Sequence, residues 1–413
     1  MHQRVAIVYH AFAHYRSAIN EALLQSTTHD YFFVGDAGDP QQSGIKSWIP
    51  PDPCRFIPTK SHLLAGRFLI QSTVVNIALR RDITTIIFLG DAQFLTTWLA
   101  AALARLTGKR VLFWTHGWTR RERGVKDFIR SAFYRLAHGL LLYGHGAKMI
   151  ALDHGFKPEQ LYVIYNSLDY AAQQVARASI PLTRLHETRA AFFTHPERPL
   201  LICTSRMLPM RRLDLLLEAM CHLRDHGSAV NLLLVGDGPE RPALEAIARH
   251  EQLAVSFYGE CYDEKVLAGL VMAADLTVVP GRIGLNAMHS LAYGTPVVTQ
   301  DAPDDQGPEW ESIIPGFNGG FYQPNSSQDL ARAIKDWLNP VLSLSEISAN
   351  CEEIITRFYN PHFQRWAIDR AVSGVPADDL FWMRETDPVH TPKESSTDDA
   401  LAEEPTAKHL VDS

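Results

Sequence analysis

Between residues 200 and 300, five strand-like runs alternate with helix-like segments. They are LLICTSR (200–206), NLLLVGDG (231–238), VSFYG (255–259), LTVVP (276–280) and PVVTQ (296–300), separated by predicted helices over 212–225, 239–252 and 263–273 and by one that stops at Gly294. No other feature constrains the fold as much, because strands joined through helices must pair in parallel. The first half repeats the rhythm with RVAIVYHA (4–11), YFFVG (31–35), TTIIFLG (84–90) and VLFWTHG (111–117), spaced by predicted helices near 14–25, 63–80 and 92–107. Short strands LLLYG (140–144) and LYVIYN (161–166) continue it. The pattern lapses between about 170 and 197. Two doubly wound α/β domains are the simplest reading, at 1–170 and 198–342, with an interdomain linker over 171–197. Helices over 343–373 follow, which would pack back on the first domain, and a disordered acidic tail over 374–413 ends the chain. Open α/β sheets bind ligands beyond the carboxyl ends of their strands, so the natural site is the cleft between the domains.

Composition narrows the class. With 413 residues, 46% of them apolar, the chain can fill two cores. No window approaches 18 uncharged apolar residues, and the N-terminus enters a strand without a basic leader, so the expectation is an unexported, cytoplasmic protein. Five cysteines without CxxC spacing suggest neither a disulfide framework nor a zinc site. The net charge of −7 sits in the tail, where residues 376–413 hold ten Asp or Glu against three Lys or Arg. The remainder is balanced, which argues against nucleic acid as a partner.

The stretch VVPGRIGLNAMHSLAYGTPVV (278–298) places Asn286, His289, Ser290 and Tyr293 as a polar stripe on a helix otherwise built like core. It belongs to a longer pattern. SRMLPMRRLDLLLEAM, LLLVGDGPERPALEAIA, VSFYGECYDEKVLAGLVMAADLTVVPG, GLNAMHSLAYGTPVV and EWESIIPGFNGGFY, in that order and spacing, resemble the C-terminal domain of family 4 retaining glycosyltransferases of the GT-B fold. The first half is similar more loosely, through HYR (14–16), FWTHGW (113–118) and VIYNSLD (163–169), and the HSL pattern resembles a bacterial surface-polysaccharide type. The resemblance implies two Rossmann-like domains facing across a cleft. It also implies transfer of a sugar from a nucleotide-diphosphate donor, as substrate and with no resident cofactor, to a glycan or lipid-linked acceptor.

A departing nucleoside diphosphate gains negative charge and needs a cation. No Asp-x-Asp is present to hold a metal, whereas Arg206 closes the strand LLICTS and Arg211 follows five residues later. At about 4 Å and an effective dielectric near 20, such a contact is worth on the order of 4 kcal/mol before desolvation, against ~0.3 to 2 for a helix N-terminus. The arginines should dominate, with the amides of Gly284 and Leu285 aiming the phosphate. In the resemblance Arg206 matches the family's phosphate-binding Arg and Arg211 stands for a usual Lys. Gly259, Glu260 and Glu311 match further donor-side positions. The family's two glutamates, eight positions apart, fall at Gly281 and His289, so Gly281 would leave room, or offer its backbone NH, for the sugar and His289 would meet the ribose. His116 matches an HG element and is the catalytic candidate, while His14, Tyr15 and Arg16 would face the acceptor. The usual Gly-rich loop is replaced by HAFA (10–13).

Two weaker signals stand apart. GDGP (236–239) lacks the third glycine of a dinucleotide fingerprint. The run TRRERGVKDFIR (119–130), with Arg120, Arg121, Arg123, Lys126 and Arg130, is either a solvated helix face or a surface for a lipid diphosphate or the inner membrane face. Two rivals stay open: a GT-B sugar-nucleotide epimerase, and a non-catalytic nucleotide-sugar binder left by loss of the glutamate pair.

Overall fold

The computed structural model describes residues 3–38, 46–121 and 124–377. The tail beyond residue 377 and Arg123 of the basic run lie outside the described residues. Fifteen strands are found among those described: β1 (Gln3–Val8), β2 (His29–Gly35), β3 (Phe56–Pro58), β4 (Ser61–Leu64), β5 (Phe68–Gln71), β6 (Thr85–Leu89), β7 (Arg110–Thr115), β8 (Gly139–Leu142), β9 (Leu161–Val163), β10 (Leu200–Thr204), β11 (Asn231–Val235), β12 (Val255–Gly259), β13 (Leu276–Val279), β14 (Val297–Gln300) and β15 (Gly319–Tyr322).

They form two parallel sheets, ordered β3-β2-β1-β6-β7-β8-β9 and β12-β11-β10-β13-β14-β15, and one antiparallel hairpin, β4-β5. In each parallel sheet the chain starts near the middle, winds to one edge, then crosses to the other side. The strand order therefore reverses between β1 and β6 and between β10 and β13, and at such switch points the connecting loops diverge and leave a crevice.

Burial on both faces explains the continuous apolar runs. Val5, Ile7, Tyr31 and Phe33 pack on one face of the first sheet, and Ala6, Val8, Phe32 and Val34 on the other. The former face is covered by Ala367, Ile368, Ala371 and Val372 of the last helix, Pro361–Ser373. That helix is pinned by the Tyr31 hydroxyl, which donates to Asp369 at 2.6 Å, and by Arg110 Nε, which donates to the Ala371 carbonyl at 2.7 Å. Each fully buried Val or Ile side chain here contributes about 1.5–3 kcal/mol relative to exposure.

Two segments depart from the sequence expectation. The predicted helix over 63–80 is the β4-β5 hairpin followed by a short helix, Val74–Leu79. Ala65 and Gly66 turn the hairpin in the left-handed region, at φ of 51° and 65°, a conformation that helix cannot use and that an alanine does not advertise. The lapse over 170–197 contains helices Tyr170–Ala178 and Leu182–Phe192. The second has no fully buried residue, so it carries no apolar stripe to read. Ala176 and Phe193 nonetheless enter the core of the second sheet. Among the described residues no helix is long and apolar enough to cross a membrane.

Candidate active site

The second sheet's switch point is built from two interlocked loops. After β10 come Arg206 and a turn, Pro209–Arg211; after β13 come Pro280–Gly284, opening the helix Leu285–Ala292. The Gly281 amide donates to the Arg211 carbonyl at 2.9 Å, the Arg282 amide donates to Met210 at 3.0 Å, and the Arg211 guanidinium donates to the Arg282 carbonyl. Gly281 therefore offers neither of the two things expected of it: the 209–211 turn fills the room, and its amide is bonded to Arg211. A Cβ there would lie 2.0 Å from the Met210 oxygen, so the 209–211 turn occupies the volume a side chain would need. Gly236 and Gly238 serve a similar close approach, since Cβ atoms there would strike the carbonyls of Ser205 and Met207 at 2.1 and 2.4 Å. That packing accounts for GDGP without a dinucleotide.

The two predicted arginines reach this place differently. Arg206 is exposed at the end of β10, and its side chain has no partner among the described residues. Arg211 is half-buried, with Nε buried and unpaired. Burial lowers its pKa, opposed by Cys203 and reinforced by Arg282. Arg282, exposed on the 281–284 loop, went unnoticed in the sequence because a loop arginine carries no pattern. Its charge nevertheless reaches Arg211, His116 and buried Glu309. The result is a concentration of positive charge that an anion would relieve.

The helix N-terminus is partly engaged. The Gly284 amide donates to the Asn286 side chain at 3.0 Å, leaving the Leu285 amide at the open end. One and a half turns on, half-buried His289 has Nδ1 3.4 Å from Glu264 and 3.3 Å from the Gln173 amide. Tyr293 also donates to Glu264. Burial raises the Glu264 pKa, but the bonds from His289, Tyr293 and Gln173 outweigh it and hold the carboxyl below its usual value. A carboxylate thus stands behind position 289 although none is encoded there. The Gly259 carbonyl accepts from the Gly236 amide at 2.7 Å, and Glu260 is exposed beyond it.

The facing wall comes from the first domain. His116 follows β7, its ring 4.7 Å from that of Tyr143. Solvent reaches His116, yet the cleft walls crowd it, and this desolvation, then Arg16 and Arg282, push its pKa down to about 4. Arg16 lies over three rings, 5.8 Å from Tyr9, 5.8 Å from Trp114 and 5.4 Å from Tyr143. Burial works against its charge, but the phenols of Tyr143, Tyr9 and Tyr15 offset that and it stays cationic. His14 and Tyr15 are exposed beside it.

A short turn, Pro308–Ser312, closes the cleft. Glu311 accepts from the amides of His145 and Gly146, at 2.6 and 2.7 Å, at the start of the helix His145–Asp153 in the first domain. Glu309, 5% exposed, accepts from the Asn166 side chain at 2.9 Å. A separate cavity of about 740 Å³, between helices Leu182–Phe192 and Glu264–Met272, is lined by none of the predicted site residues.

Residues 186–353 match the family model described as Glycosyl transferases group 1. The chain is 32% identical over 177 residues to a glycogen synthase of Edwardsiella ictaluri, a match covering 38% of this chain and 36% of that protein. It is 36% identical over 106 residues to a GDP-mannose-dependent alpha-(1-6)-phosphatidylinositol dimannoside mannosyltransferase of Mycobacterium tuberculosis, covering 25% of this chain and 27% of that one. The chain thus spans about a third or less of the length of these relatives. Among solved structures, HepE of Anabaena in complex with UDP superimposes with a TM-score of 0.65 at 17% identity, over 90% of this chain and 100% of that one. A glycosyltransferase of Rickettsia africae does so with a TM-score of 0.67 at 14% identity, over 90% and 99%. The chain has the GT-B fold, and its second half is similar to the glycosyl transferases of group 1.

Proposed function

We propose that the protein is a family 4 retaining glycosyltransferase that moves a sugar from a nucleoside-diphosphate donor to a glycan or lipid-linked acceptor in surface-polysaccharide synthesis. The observation that carries this reading is the pairing of Arg211 and Arg282 in the loops that open the helix Leu285–Ala292, with the Arg282 charge reaching His116, and Arg206 following the neighbouring strand. As the glycosidic bond breaks, the diphosphate gains charge, and fixed cations stabilise that charge without reorganisation. The acceptor hydroxyl attacks the face the diphosphate leaves, the phosphate takes its proton, and no enzyme nucleophile is required. Neutral His116 can accept a hydrogen bond from a sugar hydroxyl beside the reacting carbon.

Membrane-facing work has its own support. On the helix Val125–Tyr134, Val125 and Phe128 are 75% and 73% exposed, and Ile129, Lys126 and Arg130 share the same short stretch. Apolar side chains among cations suit an anionic membrane surface at the cytoplasmic face.

The test is incubation with a panel of nucleotide sugars, with and without a lipid-extract acceptor, following free nucleotide. Neighbours solved with UDP and UDP-glucose put uridine donors first in that panel. Acceptor-dependent release that survives EDTA supports the reading. A new epimer without acceptor marks an epimerase, and binding without turnover marks a non-catalytic relative.

A further inference from the structure

Glu309 is a carboxylate buried at the edge of the cleft. It is held from the opposite domain, since its Oε1 accepts from Asn166 Nδ2 at 2.9 Å, and it lies in the field of Arg16 and Arg282, the same two cations that act on His116. Its other oxygen has no side-chain partner among the described residues. That oxygen is close to the mouth of the helix Leu285–Ala292: a Cβ placed on Gly307 would be 2.8 Å from Oε2, 2.9 Å from the Ile283 carbonyl and 3.7 Å from the Gly284 Cα. Position 281, by contrast, has no volume for any side chain.

We propose that Glu309 is the carboxylate that faces the donor's sugar, accepting its hydroxyls and stabilising the positive charge that develops on the ring, and that Asn166 holds it in place from the other side of the cleft. This rests on the glycosyltransferase reading. Burial raises the Glu309 pKa above the usual carboxylate value, against the bonds from Asn166 and from its own amide and the charges of Arg16 and Arg282, so positive charge developing on a ring beside it would favour its ionised form. A buried carboxylate is a net cost to folding unless it is well bonded. With one neutral side-chain donor and its own backbone amide, the carboxylate keeps acceptor capacity that the hydroxyls of a polyhydroxylated ligand would fill. The arrangement also makes the site depend on both domains, because Asn166 and Glu309 are separated by 143 residues and meet only across the cleft.

The experiment compares wild type with Glu309→Gln, which keeps the acceptor for Asn166 and removes the charge, and with Glu309→Asp. Melting temperature, nucleoside-diphosphate affinity, and kcat and KM for the donor that wild type uses are measured on the full chain. Expected for Glu309→Gln are an unchanged or raised melting temperature, diphosphate affinity within about twofold, and a kcat lowered by about 100-fold or more, partly recovered in Glu309→Asp. Glu309→Gln turning over within about threefold of wild type, or losing melting temperature and diphosphate affinity together with kcat, would overturn the assignment with wild-type activity intact. A wild type that binds the diphosphate but turns over no nucleotide sugar instead overturns the glycosyltransferase reading, and the role of Glu309 with it.

Discussion

Glu264 extends a carboxylate to within 3.4 Å of Nδ1 of His289, so one helix lends the other an acid that its own sequence lacks. Nδ1 is turned toward Glu264 and the Gln173 amide, bonding one or the other according to the tautomer, and Nε2 is the nitrogen we expect to meet a ligand hydroxyl. His289→Ala should cost roughly 0.5–1.5 kcal/mol of donor affinity, the worth of a neutral hydrogen bond, and leave kcat at saturation near wild type. Calorimetric titration with the nucleoside diphosphate, paired with saturation kinetics, measures both. Loss of turnover with binding intact would make His289 catalytic instead.

Arg206→Ala and Arg211→Ala should each weaken donor binding and lower turnover, but only one should touch the fold. Arg206 is exposed, without a side-chain partner among the described residues, so its loss should change stability by less than about 0.5 kcal/mol. Arg211 ties the 209–211 turn to the Arg282 carbonyl, so its removal should lower the melting temperature as well. Wild-type donor affinity in both variants would remove the diphosphate from this place.

Restoring an acid at position 281 should not restore anything. Gly281→Glu drives a side chain into the Met210 carbonyl, 2.0 Å from where its Cβ would sit, and overpacking of this kind costs about 1–3 kcal/mol. Thermal unfolding should show the loss, and activity should fall. A gain in kcat would mean that the 209–211 turn yields easily.

The low pKa of His116, about 4, fixes the sign of its pH dependence. Its folded pKa lies below the unfolded value, so the unfolded chain takes the proton first. Whatever stability the neutral ring supports is therefore present above about pH 6.5 and drains away as pH falls toward 4. Turnover should likewise show no His116 limb between pH 6 and 8, and an acid limb only near 4. His116→Gln should lower kcat more than it raises KM. A wild-type limb near pH 6.5 that vanishes in His116→Gln would show that the cleft does not crowd the ring.

The parallel sheets were legible because strands such as Val5–Val8 and Leu200–Cys203 are buried on both faces and so read as unbroken apolar runs. The hairpin β4-β5 was not, since Leu63 and Leu64 are about half exposed and its turn places an alanine at positive φ. At the site, strand ends and a helix start could be read as local spacing, and together with the family resemblance they pointed to Arg206, Arg211, His116 and His289. What sequence order cannot encode is a side chain arriving from elsewhere. Glu264 reaches His289 from a different helix, and Glu309 meets Asn166 from the other domain. The Gly281 reading failed for the same reason: the backbone that fills its space belongs to Met210 and Arg211.

The return of the helix Pro361–Ser373 to the first sheet bears on how this chain could be recombined. Its residues Ile368 and Val372 finish the core of a domain whose strands were laid down more than two hundred positions earlier in sequence. A chimera that exchanges donor halves between relatives at the 170–197 crossover would carry away this cover. The recipient's first sheet would then be roofed by a foreign helix, with Tyr31 and Arg110 facing groups they were not matched to. A workable graft therefore needs two junctions, the second just before Asn360, so that the last helix travels with the half it covers.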